Sequence, residues 1–241
     1  MKIIMKTTPI LVILILSFTT RLAAQGEGGY DAVFEKLVHE YTLLPDGSVD
    51  YHHFRQLKIN SYQAFHRRFG ETFVVYDPSR ERVTVNDCHT IMADGSKVPL
   101  PPNALNEVLP RAASGAAPYH HLRELVITHT GLERGAVIYL DYLKKSFPAS
   151  LPFSSGYAVL QEDVPVRNLT LILRVPEGQP FYHRMLQSDI MPEVSTANGM
   201  TTYRWDYHDL PANLHIPFQL PATDRVPVIL WSTASNLETA W

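Results

Sequence analysis

The chain has 241 residues, of which 45% are hydrophobic and 19% are charged, and its formal net charge at pH 7 is −3. This hydrophobic content is enough to build a sizeable core, which argues against a disordered chain. The acidic balance argues against nucleic acid or an anionic membrane surface as a partner.

The first 24 residues have the anatomy of a secretory signal peptide. Lys2 and Lys6 precede an apolar run at residues 10–18, and the small residues Ala23 and Ala24 follow it. This run is about half of the ~20 residues that a membrane-spanning helix needs, so we expect no stable membrane insertion after cleavage. We expect cleavage after Ala24 and export of the mature chain, which would be periplasmic or secreted.

The single cysteine, Cys88, limits how the exported chain is held together. One cysteine forms no intrachain disulfide, and no cysteine immediately follows the expected cleavage site to carry a lipid. The mature chain must therefore rely on its core. Removal of residues 1–24 leaves 18 basic and 24 acidic residues, a formal charge of −6, which strengthens the case against nucleic acid.

Period-two alternation of side chains predicts β-strands through most of the mature chain. Two neighbouring strands should each present one face, formed by Leu37, His39, Tyr41 and Leu43 in the first and by Val49, Tyr51, His53, Arg55 and Leu57 in the second. Further strands are predicted at residues 71–76, 82–92, 122–129, 136–144, 169–175, 181–186 and 201–208.

Helical periodicity is weak and confined to residues 103–109, and strands do not alternate regularly with helices. Eighteen prolines cluster between the predicted strands. The predicted fold class is therefore all-β with little helix. We expect a large antiparallel β-sandwich over residues 25–231, which could comprise two packed sub-sandwiches.

Two Asp-Gly-Ser elements, at residues 46–48 and 94–96, invite comparison with a calcium loop. A calcium loop needs alternating acidic residues, whereas each element has a single Asp before its Gly. Both elements are therefore predicted to be turns. The Asn198-Gly199 pair predicts a tight hairpin before the strand at residues 201–208.

Two histidine pairs, at residues 52–53 and 120–121, raise the question of a metal site. Adjacent residues on a strand point to opposite faces, so neither pair closes on one metal without a partner from elsewhere. The usual zinc-hydrolase patterns are absent. We therefore predict no metal and no cofactor, with a metal hydrolase built across strands as the open alternative.

Cys88 raises the question of a thiol nucleophile. Its neighbour on the strand diverges from it, so a general base would have to come from another histidine, such as His129. The sequence lacks a nucleophile elbow, a phosphate-binding loop and a dinucleotide fingerprint. We therefore predict no catalytic residue and interpret Cys88 as a small apolar core residue, with a thiol hydrolase as the alternative.

Three aromatic residues share one face of the predicted strand at residues 201–208, and they are Tyr203, Trp205 and Tyr207. The row has two interpretations. It could stack on a sugar or a peptide, or it could pack in the core, which a sandwich of this size requires and which we favour.

The proline-bounded segment at residues 99–118 is long for a loop in a compact domain, so it is a second candidate binding surface. Its polar residues Asn103, Asn106 and Glu107 are the candidates there.

The last ten residues, 232–241, contain a capping-box pattern from Ser235 to Glu238 that predicts the start of a helix. About one turn of helix is not stable alone. We expect these residues to lead, through a linker or helix, into a further domain that this chain lacks.

Several segments together resemble a bacterial family. They include "VVYDPSRERVTVNDCHTIMADGSKV", "GLERGAVIYLDY" and "QEDVPVRNLTLILRVPEG", and the likeness covers most of the mature chain. The chain resembles the N-terminal domain of unknown function (the domain of unknown function 3857 family) of exported transglutaminase-like proteins. In that family a β-rich domain precedes a Cys-His-Asp catalytic domain, none of whose catalytic motifs occurs here.

The resemblance implies a non-catalytic module that positions, stabilises or recognises substrate for an adjacent transglutaminase-like domain or protein. The alternatives are a protein that binds carbohydrate or peptide on its own and, with less support, a thiol or metal hydrolase. A glycan or a peptide is the expected ligand class in the binding interpretations.

Overall fold

The computed structural model describes residues 29–148, 153–214 and 216–234. The predicted signal peptide and capping box lie outside these residues, in which no helix is long and apolar enough to cross a membrane. The described ranges contain fourteen strands and the helix α1 (Tyr62–Arg67). The strands are β1 (Ala32–Leu43), β2 (Val49–Ile59), β3 (Glu71–Tyr76), β4 (Glu81–Ile91), β5 (Lys97–Pro99), β6 (Leu105–Val108), β7 (Arg123–Thr128), β8 (Val137–Ser146), β9 (Ser155–Val159), β10 (Val166–Pro176), β11 (Tyr182–Leu186), β12 (Glu193–Ala197), β13 (Met200–Leu210) and β14 (Val228–Ser232).

Eight strands form one large sheet in the order β12-β13-β10-β1-β2-β8-β4-β5. The predicted all-β class with little helix is confirmed. One pair departs from the antiparallel pattern, because β1 and β10 run parallel, with Leu37 opposite Leu169 and Tyr41 opposite Leu173. Hairpin turns impose antiparallel pairing on consecutive strands, but β10 reaches β1 only after the chain has built several other strands, so no local turn sets its direction.

Two three-stranded sheets, β11-β14-β9 and β3-β7-β6, cover one face of the large sheet side by side. One hydrophobic cluster joins the first small sheet to the large sheet and contains Leu171 and Ile229. A second cluster joins the other small sheet to β4 and β8 and contains Val74 and Leu140. The sandwich therefore has one continuous layer and one divided layer.

The strand faces predicted from alternation in β1 and β2 are confirmed. The two strands pair in register, with Leu37 opposite Arg55, His39 opposite His53, Tyr41 opposite Tyr51 and Leu43 opposite Val49. Side chains directly opposite each other point to the same side of a sheet, so the two predicted faces merge into one inner face.

The predicted turns are also confirmed. Asp46 Oδ1 accepts hydrogen bonds from the Ser48 backbone N–H at 3.0 Å and from its hydroxyl at 2.6 Å, while Gly47 has a φ of 82°. These contacts make a local Asx turn, as predicted for a hairpin. Asn198 and Gly199 both have positive φ, at 52° and 72°, which is the type I′ geometry expected between β12 and β13.

The segment at residues 99–118 is not a single long loop. Short 3-10 turns at Pro102–Ala104, Arg111–Ala113 and Ala117–Tyr119 punctuate it. The weak helical periodicity at residues 103–109 does not correspond to a helix, because Leu105–Val108 forms β6 and pairs with β7. A four-residue strand lies below the length at which periodicity separates a strand from a helix, and pairing with β7 decided its state.

Candidate functional site

A cleft of about 570 Å³ opens over the inner face of the large sheet. Its floor comes from β1, β2 and β8, and its walls come from β3 on one side and from β9 and β14 on the other. We call it the inter-sheet cleft. The residues that characterise it are Tyr41, Tyr51, Phe73, Tyr142, Tyr157 and Trp231, together with the ion pair formed by Glu81 and Lys144.

The floor of the inter-sheet cleft is a chain of aromatic rings. Tyr41 stacks on Tyr51 with 4.6 Å between ring centroids, and it packs on Trp231 at 4.8 Å. Tyr51 meets Tyr142 edge-on at 6.0 Å. Burial raises the pKa of all three tyrosines, so their hydroxyls stay protonated at neutral pH. Such a floor suits a ligand with flat or apolar groups and a few polar atoms.

Gly156 allows β9 to approach Trp231 closely at the wall of the cleft. A Cβ at Gly156 would lie only 2.5 Å from the indole ring, so a larger residue would push the ring aside. Trp231 is 7% exposed, and its Nε1 has no hydrogen-bond acceptor among the described residues. One buried donor that borders the cleft is therefore unpaired, which is costly in a folded protein.

Two histidines flank the hydroxyl of Tyr51. The oxygen lies 2.7 Å from Nδ1 of His39 and 3.1 Å from Nδ1 of His53. Because the hydroxyl has one proton, it donates to one imidazole and accepts from the other. Burial lowers the pKa of His39 to about 4, and burial together with the charges of His39 and Arg55 lowers the pKa of His53 well below 6.5. Both imidazoles are therefore neutral at pH 7.

Cys88 and His129, the nucleophile and base of the alternative thiol-hydrolase interpretation, are neighbours in the structure. Cys88 Sγ lies 3.5 Å from His129 Nδ1, and His129 Nε2 lies 2.7 Å from Thr72 Oγ1 and 3.3 Å from Arg55 Nη2. A guanidinium only donates, so Nε2 is the accepting nitrogen and Nδ1 carries the proton that points at the sulfur. In this tautomer Nδ1 does not accept the thiol proton.

The electrostatics of this pair agree with its hydrogen bonds. Burial raises the pKa of the Cys88 thiol to about 11, and burial together with the charge of Arg55 lowers the pKa of His129 to about 3. Their exposed fractions are 7% and 5%. At neutral pH the pair is a neutral thiol beside a neutral imidazole, whereas a reactive cysteine requires a stabilised thiolate.

The aromatic row on β13 lies in the core. Trp205 and Tyr207 are 1% and 3% exposed, and Tyr203 is half-buried. The ring of His183 on β11 packs edge-on against Trp205 at 5.3 Å and against Tyr203 at 5.4 Å. The favoured interpretation as core packing agrees with this burial, and Trp205 and Tyr207 do not form an external stacking platform.

The candidates in residues 99–118 lie on the surface, away from the inter-sheet cleft. Asn103 belongs to a 3-10 turn, and Asn106 and Glu107 belong to β6, which β7 separates from the cleft wall β3. Glu107 accepts a hydrogen bond from the hydroxyl of Tyr76 and lies 3.8 Å from Arg123. These contacts explain Glu107 as part of a surface network within the small sheet.

The histidine pairs are not part of a metal site among the residues that the structure describes. His53 points to the inner face, while His52 Nε2 lies 3.0 Å from Asp141 Oδ1 on the outer face. Residues 120–121 follow a 3-10 turn, so strand geometry does not apply there. Across residues 29–148, 153–214 and 216–234, no group of three or more His, Cys, Asp or Glu side chains is placed to hold a metal ion.

Sequence reasoning missed the inter-sheet cleft, although it placed Tyr41 and Tyr51 on one face of paired strands. Phe73, Tyr157 and Trp231 come from distant parts of the chain and meet only through the packing of the small sheets. The sequences of β3 (ETFVVY) and β9 (SGYAV) lack a clear alternation of polar and apolar residues, so no local pattern marked them as the walls of a cleft.

Comparison with solved structures finds a close fold relative. A crystal structure described as a "putative protease" from Parabacteroides distasonis is 33% identical, with a TM-score of 0.82 over 87% of this chain. An M1 zinc metallopeptidase from Deinococcus radiodurans is 11% identical, with a TM-score of 0.40 over 84% of this chain, which is too distant to support any argument. The chain spans 42% of the first structure and 43% of the second.

Comparison with curated proteins finds no match. Comparison with family models matches residues 45–213 to the family described as a domain of unknown function with a solved structure, DUF3857. This match extends over well over half of the chain and includes β2, β3, β8 and β9 of the inter-sheet cleft, whereas β1 and β14 lie outside the matched residues. The protein therefore belongs to the DUF3857 family.

Proposed function

We propose that this chain is a non-catalytic, exported module that recognises substrate for a companion hydrolase domain of the transglutaminase-like type. The observation that carries the proposal is the inter-sheet cleft, which combines an aromatic floor with exposed apolar walls. Pockets of a few hundred Å³ with apolar linings and a few polar groups are typical ligand sites. Phe73 and Tyr157 are 54% and 68% exposed, so they can contact a ligand directly.

The comparison supports a module that works beside another domain. The chain spans 42% of a relative described as a "putative protease", so more than half of that protein consists of other sequence. In our proposal the cleft holds part of a substrate while the companion domain carries out the chemistry. The neutral, buried state of Cys88 and His129 agrees with a chain that supplies no nucleophile of its own.

Ligand binding tests the function. We expect the mature chain to bind members of a panel of peptides and cell-wall glycan fragments, and we expect Phe73→Ala with Tyr157→Ala to weaken that binding at least tenfold. A matched control replaces two exposed aromatic residues outside the cleft, Tyr62→Ala with Tyr182→Ala, which are 66% and 58% exposed. Isothermal titration measures each affinity. If the two double variants bind with equal affinity, the cleft is not the binding site.

The second candidate function is a thiol hydrolase, because Cys88 Sγ does contact His129. If Cys88 is an inert core residue, it should react with an aromatic disulfide reagent at least a hundredfold more slowly in the folded chain than in the urea-unfolded chain. The thiolate is the reactive form, and burial disfavours it. Release of the coloured thiol measures the rate. Fast reaction of the folded chain, with a peptidase activity that Cys88→Ser abolishes, would instead support the hydrolase.

A further inference from the structure

Each wall of the inter-sheet cleft includes a strand that lies at a sheet edge within the described residues, β3 on one side and β9 on the other. In the described part of the chain, β3 pairs only with β7, and β9 pairs only with β14. An edge strand presents unpaired backbone N–H and C=O groups at alternate residues along its open side. Both edges border the same cavity, through Phe73, Val74 and Val75 of β3 and Ser155, Gly156 and Tyr157 of β9.

Exposed apolar groups flank the gap between these edges. Val74 and Ala158 face the core and are 6% and 8% exposed. Their neighbours Phe73, Val75 and Tyr157 face solvent and are 54%, 43% and 68% exposed. Each wall thus has the alternating inner and outer faces of a strand within a layer, and among the described residues its apolar outer face has a neighbouring strand on one side only, β7 for β3 and β14 for β9.

We propose that the inter-sheet cleft binds an extended peptide by strand addition, an inference that rests on the substrate-recognition function proposed above. The peptide lies between β3 and β9 and joins the two small sheets into one seven-stranded layer, β11-β14-β9-peptide-β3-β7-β6. Its backbone completes the hydrogen-bond ladder of one or both edges, which is a general mode of peptide recognition. The divided layer of the sandwich then becomes continuous.

The cleft also determines which side chains the peptide needs. Alternate residues point inward to the rings of Tyr51, Tyr142 and Trp231, which suits aliphatic, aromatic or small residues. The residues between them point outward, between Phe73 and Tyr157, where apolar side chains gain cross-strand contacts. The ion pair of Glu81 and Lys144 accommodates a polar residue within this pattern. The recognised class is therefore an extended, mainly apolar peptide.

A glycan fits these observations less well than a peptide. A sugar stacks on aromatic rings, so it would use the floor formed by Tyr41 and Tyr51. It has no regular array of donors and acceptors to match two strand edges, and it would leave both edges unpaired. The edges therefore favour a peptide, while the floor alone suits either ligand.

A random twelve-residue peptide library displayed on phage, selected against the mature chain, tests the inference. We expect enrichment of sequences with apolar residues at alternate positions. Binding should fall at least tenfold in Phe73→Lys with Tyr157→Lys, whose long charged side chains oppose strand addition. The matched control, Tyr62→Lys with Tyr182→Lys, adds the same charge at exposed aromatic residues outside the cleft and should bind as the unaltered chain does.

Backbone methylation of the best enriched peptide separates strand addition from side-chain binding. N-methyl groups on alternate residues remove the ladder donors and keep the side chains, so we expect at least one of the two methylation registers to weaken binding at least tenfold. Equal binding by both methylated peptides and the parent would overturn strand addition. A library that yields no peptide dependent on the cleft would overturn it as well.

Two other occupants give different results. The chain could bind a cell-wall glycan and lose that binding in the Phe73→Lys, Tyr157→Lys variant. This result would support substrate recognition by the cleft and overturn the peptide inference. Sedimentation measures self-association of the chain. If the chain self-associates and the same variant abolishes this, the edges bind a second copy of the chain and the peptide inference is overturned. If neither a peptide nor a glycan binds at the cleft of the unaltered chain, the proposed function itself is contradicted.

Discussion

Acidification from pH 5.5 to pH 4.5 is expected to lower the free energy of unfolding by about 3 kcal/mol. Three histidines near the floor of the cleft cause the loss. Burial is the largest cause in each, and it lowers the pKa of His39 to about 4, that of His53 well below 6.5 and that of His129 to about 3. Chemical denaturation at a series of pH values measures the effect.

The sign follows from which state binds the protons. Above pH 6.5 these histidines are neutral in both states, so their burial carries no protonation penalty. Below pH 6.5 the unfolded chain takes up protons that the folded chain does not, and each histidine removes about 1.4 kcal/mol per pH unit until its folded pKa is reached. Burial raises the pKa of Glu162, so this group acts in the opposite direction and offsets up to about 1.4 kcal/mol per pH unit.

Matched histidine variants provide the control for the pH dependence. Replacement of the exposed residue His120 by Gln is the matched control for the substitution itself, and it should change the free energy of unfolding at pH 7 by no more than about 0.5 kcal/mol. His129→Asn should reduce the slope by about 1.4 kcal/mol per pH unit. An unfolding free energy that stays constant from pH 6.5 to 4.5 would contradict the neutral, buried state of the network.

Trp205→Ala is expected to lower the free energy of unfolding by about 3 to 5 kcal/mol, because it empties the position of a large, fully buried side chain. Trp205 belongs to the hydrophobic cluster between β13 and the β11-β14-β9 sheet, where His183 packs on its ring. Loss of these contacts leaves a cavity that the sheets cannot close completely. Urea unfolding followed by circular dichroism measures the change.

An exposed aromatic residue on a neighbouring strand is the control for Trp205→Ala. Tyr182 on β11 is 58% exposed, and Tyr182→Ala should change stability by no more than about 0.5 kcal/mol. The comparison separates the two interpretations that the sequence left open for the aromatic row. If Trp205→Ala keeps full stability and loses only ligand binding, the row is a binding platform and the core assignment is wrong.

Local patterns in the sequence predicted the strands and turns well. Alternation placed Tyr51 and His53 on the same face of β2, and the single Asp of each Asp-Gly-Ser element indicated a turn. The failures were short or depended on distant partners. Residues 103–109 became a 3-10 turn and the strand β6 because β7 was available to pair with them.

The candidate site was harder to predict than the fold. Of the residues proposed as a binding surface, Trp205 and Tyr207 are buried, and Asn106 and Glu107 lie on a strand away from the cleft. Aromatic side chains at alternate positions have the same appearance in sequence whether they face a core or a ligand. Burial is a property of the second layer that covers them, and a single strand does not encode that layer.

The sequence by itself determined the all-β class, the residues that share one face of β1 and of β2, the turns and the family resemblance. Each of these depends on residues close together in the chain. The tertiary structure alone decided the parallel pairing of β1 with β10, the contact of Cys88 with His129 and the inter-sheet cleft. A free edge exists only where no other strand has paired, so it is defined by the arrangement of all strands together.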